Sequence, residues 1–63
     1  MIKHTKICKM MGPDDPEHLA DIYDLLPNIF IGMKMYIEGT MYRVKDIRTI
    51  IGGDLCRQII EVE

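Results

Sequence analysis

Apolar and polar residues alternate along the second half of the chain, as they do in strands that bury one face. Every second residue is apolar over 33–37, and the alternation continues at Tyr42 and Val44. A turn at Glu38–Gly39 opposes Met35 to Tyr42 and keeps the apolar residues on one face, whereas a one-residue slip would reverse one strand. The pattern therefore predicts a β-hairpin in this register.

Glycines mark a second turn near the end of the chain, over 52–54. A turn at this point opposes Ile51 to Cys56 and Ile47 to Ile60, so that apolar residues again face apolar residues. The sequence predicts a second hairpin here.

The inward-facing positions of the two hairpins are out of step by one residue. Inward residues are even-numbered at Tyr42 and Val44 but odd-numbered at Ile47 and Ile51. One residue must be absorbed between them, which predicts a β-bulge at Lys45–Asp46. A bulge bends a strand, so the sheet is expected to curl.

The run from Gly32 to Val44 combines a glycine, an alternating strand, a short glycine turn and a returning aromatic-x-Val strand. Together with the bend and the second hairpin, this pattern over 32–62 resembles the small SH3-like β-barrels of phage and bacterial proteins. The resemblance implies a curled, partial barrel, and it carries no functional motif across.

Residues 16–26 carry the signals of a helix. Asp15 can cap its first turn, Pro16 suits the first helical position, and Pro27 ends it. The apolar positions are spaced by three and four, as on one side of a helix. They are Leu19, Ile22, Tyr23 and Leu26.

These elements predict an α+β fold, with one short helix packed on a small, curled antiparallel sheet of SH3-like type. Residues 1–63 are expected to form a single domain, because so short a chain rarely divides. Within it, 1–12 form an edge strand, 16–26 the helix and 29–62 the antiparallel sheet.

Composition narrows the class of protein. Hydrophobic residues make up 48% and charged residues 29% of the 63, which is ordinary for a folded globular chain. The longest run without a charged residue, 25–33, is far shorter than the roughly 20 residues of a membrane span. We therefore expect a cytoplasmic protein that does not bind membranes.

Catalytic signals are weak. The chain has no serine and no glycine-rich phosphate loop, so we expect neither an enzyme nor a cofactor. Cys8 or Cys56 with His4 or His18 is the one nucleophile–base pairing that the residue types allow. The same four residues lack the close spacing of a zinc site, so no metal is expected, and both thiols are expected to be free and partly buried.

All acidic residues of the first part of the chain lie between positions 14 and 24. A negative field of this kind attracts a basic partner. This predicts a protein-binding module or small inhibitor that docks an acidic helix on a basic protein, as a nucleic-acid mimic encoded by a bacterial virus. The alternative is that these residues are the solvated side of an amphipathic helix. The predicted binding residues are Asp14, Asp15, Glu17, Asp21 and Asp24.

A second hypothesis is direct nucleic-acid binding by the outer face of the sheet. The first hairpin opposes Lys34 to Arg43, and like charges across strands are unfavourable unless something else is bound there. The predicted residues are Lys34, Tyr36, Arg43, Arg48 and Arg57. Tyr36, together with exposed methionines, also indicates a homodimer contact.

Overall fold

The computed structural model describes all 63 residues, which form five strands and no helix. The strands are β1 (Ile2–Gly12), β2 (Asp15–Ile22), β3 (Lys34–Ile37), β4 (Thr40–Gly52) and β5 (Leu55–Val62). They make one sheet in the order β2-β1-β5-β4-β3, in which β1 and β5 are parallel and all other neighbours antiparallel. This curled, mixed sheet is a half-barrel, compatible with an SH3-like small barrel. No helix capable of crossing a membrane occurs in it.

The predicted helix at 16–26, and with it the α+β class, is wrong. Most of that segment is β2, which returns along β1 after a turn at Pro13–Asp14. Across this hairpin Lys6 opposes Asp21 and Lys9 opposes Glu17, so opposite charges meet twice. Pro16 fits because β2 is at the edge of the sheet, where a missing N–H costs no ladder bond.

The first segment is a strand, but not an edge strand. β1 lies between β2 and β5 and pairs with both. Because its pairing with β5 is parallel, the sheet is mixed and not purely antiparallel as predicted. The first and last strands of the chain therefore lie together in the interior of the sheet.

Both predicted hairpins in the second half are confirmed. Met35 opposes Tyr42 in the β3–β4 pair, and Ile47 opposes Ile60 in the β4–β5 pair. The predicted bulge is also present, because the β4–β5 register shifts between Val44 and Asp46. At the β3–β4 turn, Glu38 and Gly39 have φ values of 50° and 83°, the left-handed conformations of a type I′ hairpin.

The core is small and lies on one face of the sheet. Its four fully buried apolar side chains are Ile7, Val44, Ile60 and Val62. Ile7 opposes Ile60 and Val44 opposes Val62, so this face is hereafter the core face and the opposite one the outer face. Leu19, Ala20, Ile22, Leu26 and Ile29 pack against the core from one side, and Met33, Met35, Ile37, Tyr42 and Ile47 from the other.

The segment that links β2 to β3 is tied to the core face by polar side chains. The Thr5 hydroxyl, which is fully buried, donates to the carbonyl oxygen of Asp24 at 2.6 Å. Gln58 Oε1 accepts from the Leu26 N–H at 3.1 Å, and Gln58 Nε2 donates to the Leu26 carbonyl at 3.4 Å. No buried side-chain polar atom lacks a partner, so this segment closes the core without an unsatisfied side-chain group.

We expect Ile60→Ala to lower the free energy of unfolding by about 2–5 kcal/mol, because its side chain is 0% exposed and leaves a cavity. A domain of this size has only about 5 kcal/mol to lose, so the variant should be partly unfolded without denaturant. Ile50→Ala is the matched control, since Ile50 is 48% exposed and should lose much less. Urea unfolding followed by circular dichroism measures both, and equal losses would contradict this core.

Candidate functional site

A polar groove lies on the outer face, where the starts of β1 and β5 meet the end of β2. His4 of β1 is directly opposite Arg57 of β5, and Asp21 of β2 lies beside them. The groove has a volume of about 350 Å³. Its lining consists of Ile2, His4, Asp21, Tyr23, Leu55 and Arg57, hereafter the groove face.

Two hydrogen bonds and one ion-pair contact join four side chains of this region into one chain. Arg57 Nε donates to His4 Nδ1 at 3.2 Å, and His4 Nε2 lies 2.8 Å from Asp21 Oδ1. Because the Arg57 guanidinium can only donate, His4 Nδ1 must accept, and the proton of the neutral ring is on Nε2. His18 Nε2 contacts the other carboxylate oxygen of Asp21, also at 2.8 Å.

The two imidazoles control the ionisation of Asp21. Partial burial raises the pKa of the Asp21 carboxyl, but the hydrogen bond from His4 and electrostatic attraction to His18 outweigh this effect. The pKa of Asp21 therefore lies below its ordinary value, and the group remains a carboxylate well into the acidic range. The site is a carboxylate held between two histidines.

The groove face combines this polar chain with exposed apolar side chains. Tyr23 is 84% exposed and Ile2 is 63% exposed. The Tyr23 ring lies 5.5 Å from the His4 ring, centroid to centroid, at a tilt of 43°. Such rings and aliphatic groups beside an arginine make up the kind of surface that proteins use to bind one another.

The nucleophile–base pairings considered from the sequence are not assembled. Cys8 is directly opposite His18, yet the thiol is buried and no hydrogen bond joins it to either histidine. Cys56 lies on the core face opposite Ile51. Cys8, by the β1–β5 register, points to the outer face, so the two free thiols are on opposite sides of the sheet.

The strand register also does not bring the four candidate zinc ligands together at one site. Cys56 is separated by the sheet itself from His4, Cys8 and His18, which share the outer face. A metal-binding nitrogen must be unprotonated. The acceptor role of His4 Nδ1 leaves its proton on the nitrogen that faces Asp21.

The five predicted acidic residues do not form one surface. Asp14, Asp15 and Glu17 are exposed at the β1–β2 hairpin and take part in no ion pair, whereas Asp21 is occupied by the histidines. Asp24 lies beyond β2, where its Oδ1 accepts from the Leu25 N–H at 2.7 Å. The acidic helix is replaced by an acidic hairpin end of three residues, which is hereafter the acidic turn.

The five residues of the nucleic-acid hypothesis share the outer face by register but not one environment. Lys34 opposes Arg43, beside the exposed Tyr36, and neither cation takes part in an ion pair. Arg48 Nε instead lies 3.4 Å from Asp46 Oδ2, and Arg57 belongs to the groove. Only Lys34, Tyr36 and Arg43 form a basic and aromatic patch without ion pairs.

Sequence reasoning missed most of the groove face. Asp21 was selected as part of an acidic helix, and Arg57 as a contact for nucleic acid. Their common neighbour, His4, is 53 positions from Arg57, and no local pattern signals that pairing. The opposite charges of Lys6 and Asp21, and of Lys9 and Glu17, are local signs that β1 and β2 form a hairpin.

Comparisons with known proteins add no family to this description. A scan against protein-family models, a search of curated proteins and a search of solved structures each find no match. The likeness to SH3-like barrels therefore concerns the shape of the sheet only.

Acidification should remove the contribution of Asp21 to stability. Its pKa is lower in the folded than in the unfolded chain, so the contribution is complete above the unfolded value of about 3.9 and is lost as the pH falls through the folded value. We expect Asp21→Asn to flatten the fall in unfolding free energy below about pH 4. Urea unfolding across this range measures the slope.

Asp54→Asn, which removes an exposed carboxylate from the β4–β5 turn, is the control for this experiment. Identical slopes for the two variants would show that the histidines do not hold Asp21 as described.

Proposed function

We propose that this protein is a non-catalytic protein-binding module and that its groove face contacts the partner. The single observation that supports this most strongly is the exposure of Tyr23 and Ile2 around side chains that are already fixed by hydrogen bonds. Pre-ordered side chains lose little freedom on binding, so more of the contact energy appears as affinity.

The composition of the groove face also supports the proposal. Tyrosine and arginine are the residue types that most often dominate binding energy, especially where they are surrounded by apolar groups. Tyr23 and Arg57 lie in one groove with Ile2 and Leu55. Ile50, which is opposite Arg57, extends the apolar part of the outer face.

The acidic turn suits a basic partner. Asp14, Asp15 and Glu17 carry three negative charges in a chain of net charge −2. None of them forms an ion pair, although Lys9 is opposite Glu17 across the hairpin. They lie at the opposite end of β1 from the groove face, so they act by long-range attraction that speeds encounter.

In its sharper form, the module is a small inhibitor of phage type in the cytoplasm, whose carboxylates replace phosphates on a nucleic-acid-binding protein. The acidic helix expected from the sequence is absent, so the carboxylates of the acidic turn support this form of the proposal. Free thiols at Cys8 and Cys56 suit a reducing compartment.

Affinity capture tests the proposal. Immobilised wild-type protein should retain a specific partner from a lysate of the organism that encodes it, more strongly at about 50 mM than at 300 mM salt. Tyr23→Asp should abolish retention, because a charge replaces the most exposed aromatic side chain of the groove face.

Met11→Asp is the matched control, since Met11 is exposed at the far end of β1. It should retain the partner at least as strongly as the wild type does, because the added carboxylate lies near the acidic turn. Equal retention by the Tyr23 and Met11 variants would exclude the groove face as the contact, and the lack of any specific partner would contradict the proposal itself.

A second candidate function is nucleic-acid binding, which is supported by the patch of Lys34, Tyr36 and Arg43. Cations without ion-pair partners beside an exposed aromatic ring are the elements of a single-strand binding surface. This contact would occupy the β3–β4 end of the outer face and would leave the groove face free.

Fluorescence anisotropy with labelled single- and double-stranded oligonucleotides at about 50 mM salt tests this candidate. The doubly substituted Lys34→Glu, Arg43→Glu variant should lose binding. Lys3→Glu with Lys45→Glu changes the net charge equally and should bind more strongly than the first variant. Equal loss in both variants would indicate general charge attraction and not a site.

A further inference from the structure

One side of β3 has no partner strand, because β3 ends the sheet. The Arg43 N–H and C=O are bonded to Glu63, at 3.0 and 2.9 Å, and so point away from β3. Lys34 opposes Arg43, and bonded and non-bonded pairs alternate along antiparallel strands. The backbone groups of Lys34 and Tyr36 therefore point to the open side, where they are free to pair with another strand.

We propose that a second copy of this chain pairs with this edge, so that two β3 strands run antiparallel about a two-fold axis at Tyr36. The two half-barrel sheets would then form one continuous sheet. The contact is isologous, with the same surface on both copies, as in most symmetric dimers.

The side chains of β3, and of Glu38 in the turn that follows it, match in this register. Lys34 of each copy is opposite Glu38 of the other, which makes two pairs of opposite charge. Met35 is opposite Ile37 on the core face, and the two Tyr36 rings are opposite each other on the outer face. Every charged residue thus meets its opposite and every apolar residue meets an apolar one.

Neighbouring registers are less favourable. An axis at Lys34 would oppose two lysines directly. An axis at Met35 leaves Glu38 without a charged partner, and an axis at Ile37 leaves Lys34 without one. The charges therefore select Tyr36 as the centre.

The same argument excludes β2, the other edge of the sheet. β2 carries Asp15, Glu17 and Asp21, so pairing with a second β2 would bring carboxylates together. Pro16 also removes a backbone donor there, a device that protects edge strands from pairing. β3 carries no proline and no acidic residue within 34–37.

The charges and apolar groups of the β3 edge are available for this contact. Lys34 and Glu38 take part in no ion pair within the chain. Met35 and Ile37 are only half-buried, so a partner strand would cover them further. Phe30 and Ile31, exposed in the turn that leads into β3, add apolar surface beside the edge.

Charge exchange tests the dimer and its register together. Sedimentation equilibrium at about 10–500 µM should show a monomer–dimer equilibrium for the wild type. Lys34→Glu and Glu38→Lys should each weaken dimerisation by about tenfold, because each converts two attractive pairs into two repulsive ones. The variant with both substitutions should dimerise as the wild type does.

Restoration is not expected within one chain, because position 34 begins β3 whereas position 38 lies in the turn beyond its other end. Lys34→Glu should also fold well, since it places a carboxylate opposite Arg43 in the same hairpin. An equimolar mixture of the two single variants should form heterodimers, in which both charge pairs are again attractive.

Three results would overturn the proposal. They are a wild type that stays monomeric at the highest concentration, single variants that dimerise as the wild type does, and a double variant that is not restored. Failure here leaves the groove-face proposal intact, because that surface lies at the other end of the sheet.

Discussion

The parallel pairing of the first and last strands is the constraint on which the rest of the structure depends. It extends from Ile2–Leu55 to Lys9–Val62 and brings together residues about fifty positions apart. On the core face it opposes Ile7 to Ile60, and on the outer face it sets the neighbours of the groove. Because side chains alternate between faces, a one-residue slip would remove the core contact and the polar chain at once.

Three register shifts adjust this sheet, and two of them explain why one half of the chain was predicted correctly and the other was not. In β4 the bulge falls between two glycine turns that fix the register on each side, so the mismatch at Lys45 could be recognised from the sequence alone. In β2 the register shifts at Leu19, which places Leu19 and Ile22 on the same face although they are three residues apart. This is also the spacing of a helix, and the sequence does not distinguish the two. The structure distinguishes them at Tyr23, because a helical stripe would have buried this ring, whereas it is exposed just beyond the end of β2.

The same contrast between local and distant pairing applies to the candidate site. Hairpins join residues that are close in sequence, so turn chemistry and alternation predict their partners. The His4–Arg57 contact joins the two ends of the chain and has no such signal. Asp21 was identified because it is acidic, but its role follows from two histidines that only the β1–β2 hairpin and the bulge bring to it.

The fold also leaves a deficit of burial. Only seven of the 63 residues are buried, and a single curled sheet cannot cover its own core face completely. The two edges of this sheet differ in how well they suit a further strand that would cover the core face. β2 has acidic residues and a proline, whereas β3 has half-buried apolar residues and unpaired backbone groups. A contact at β3 would stabilise the folded chain by mass action, since only folded chains possess the edge. The free energy of unfolding should therefore depend on protein concentration, because it includes both the burial within one chain and the strength of any contact at the β3 edge.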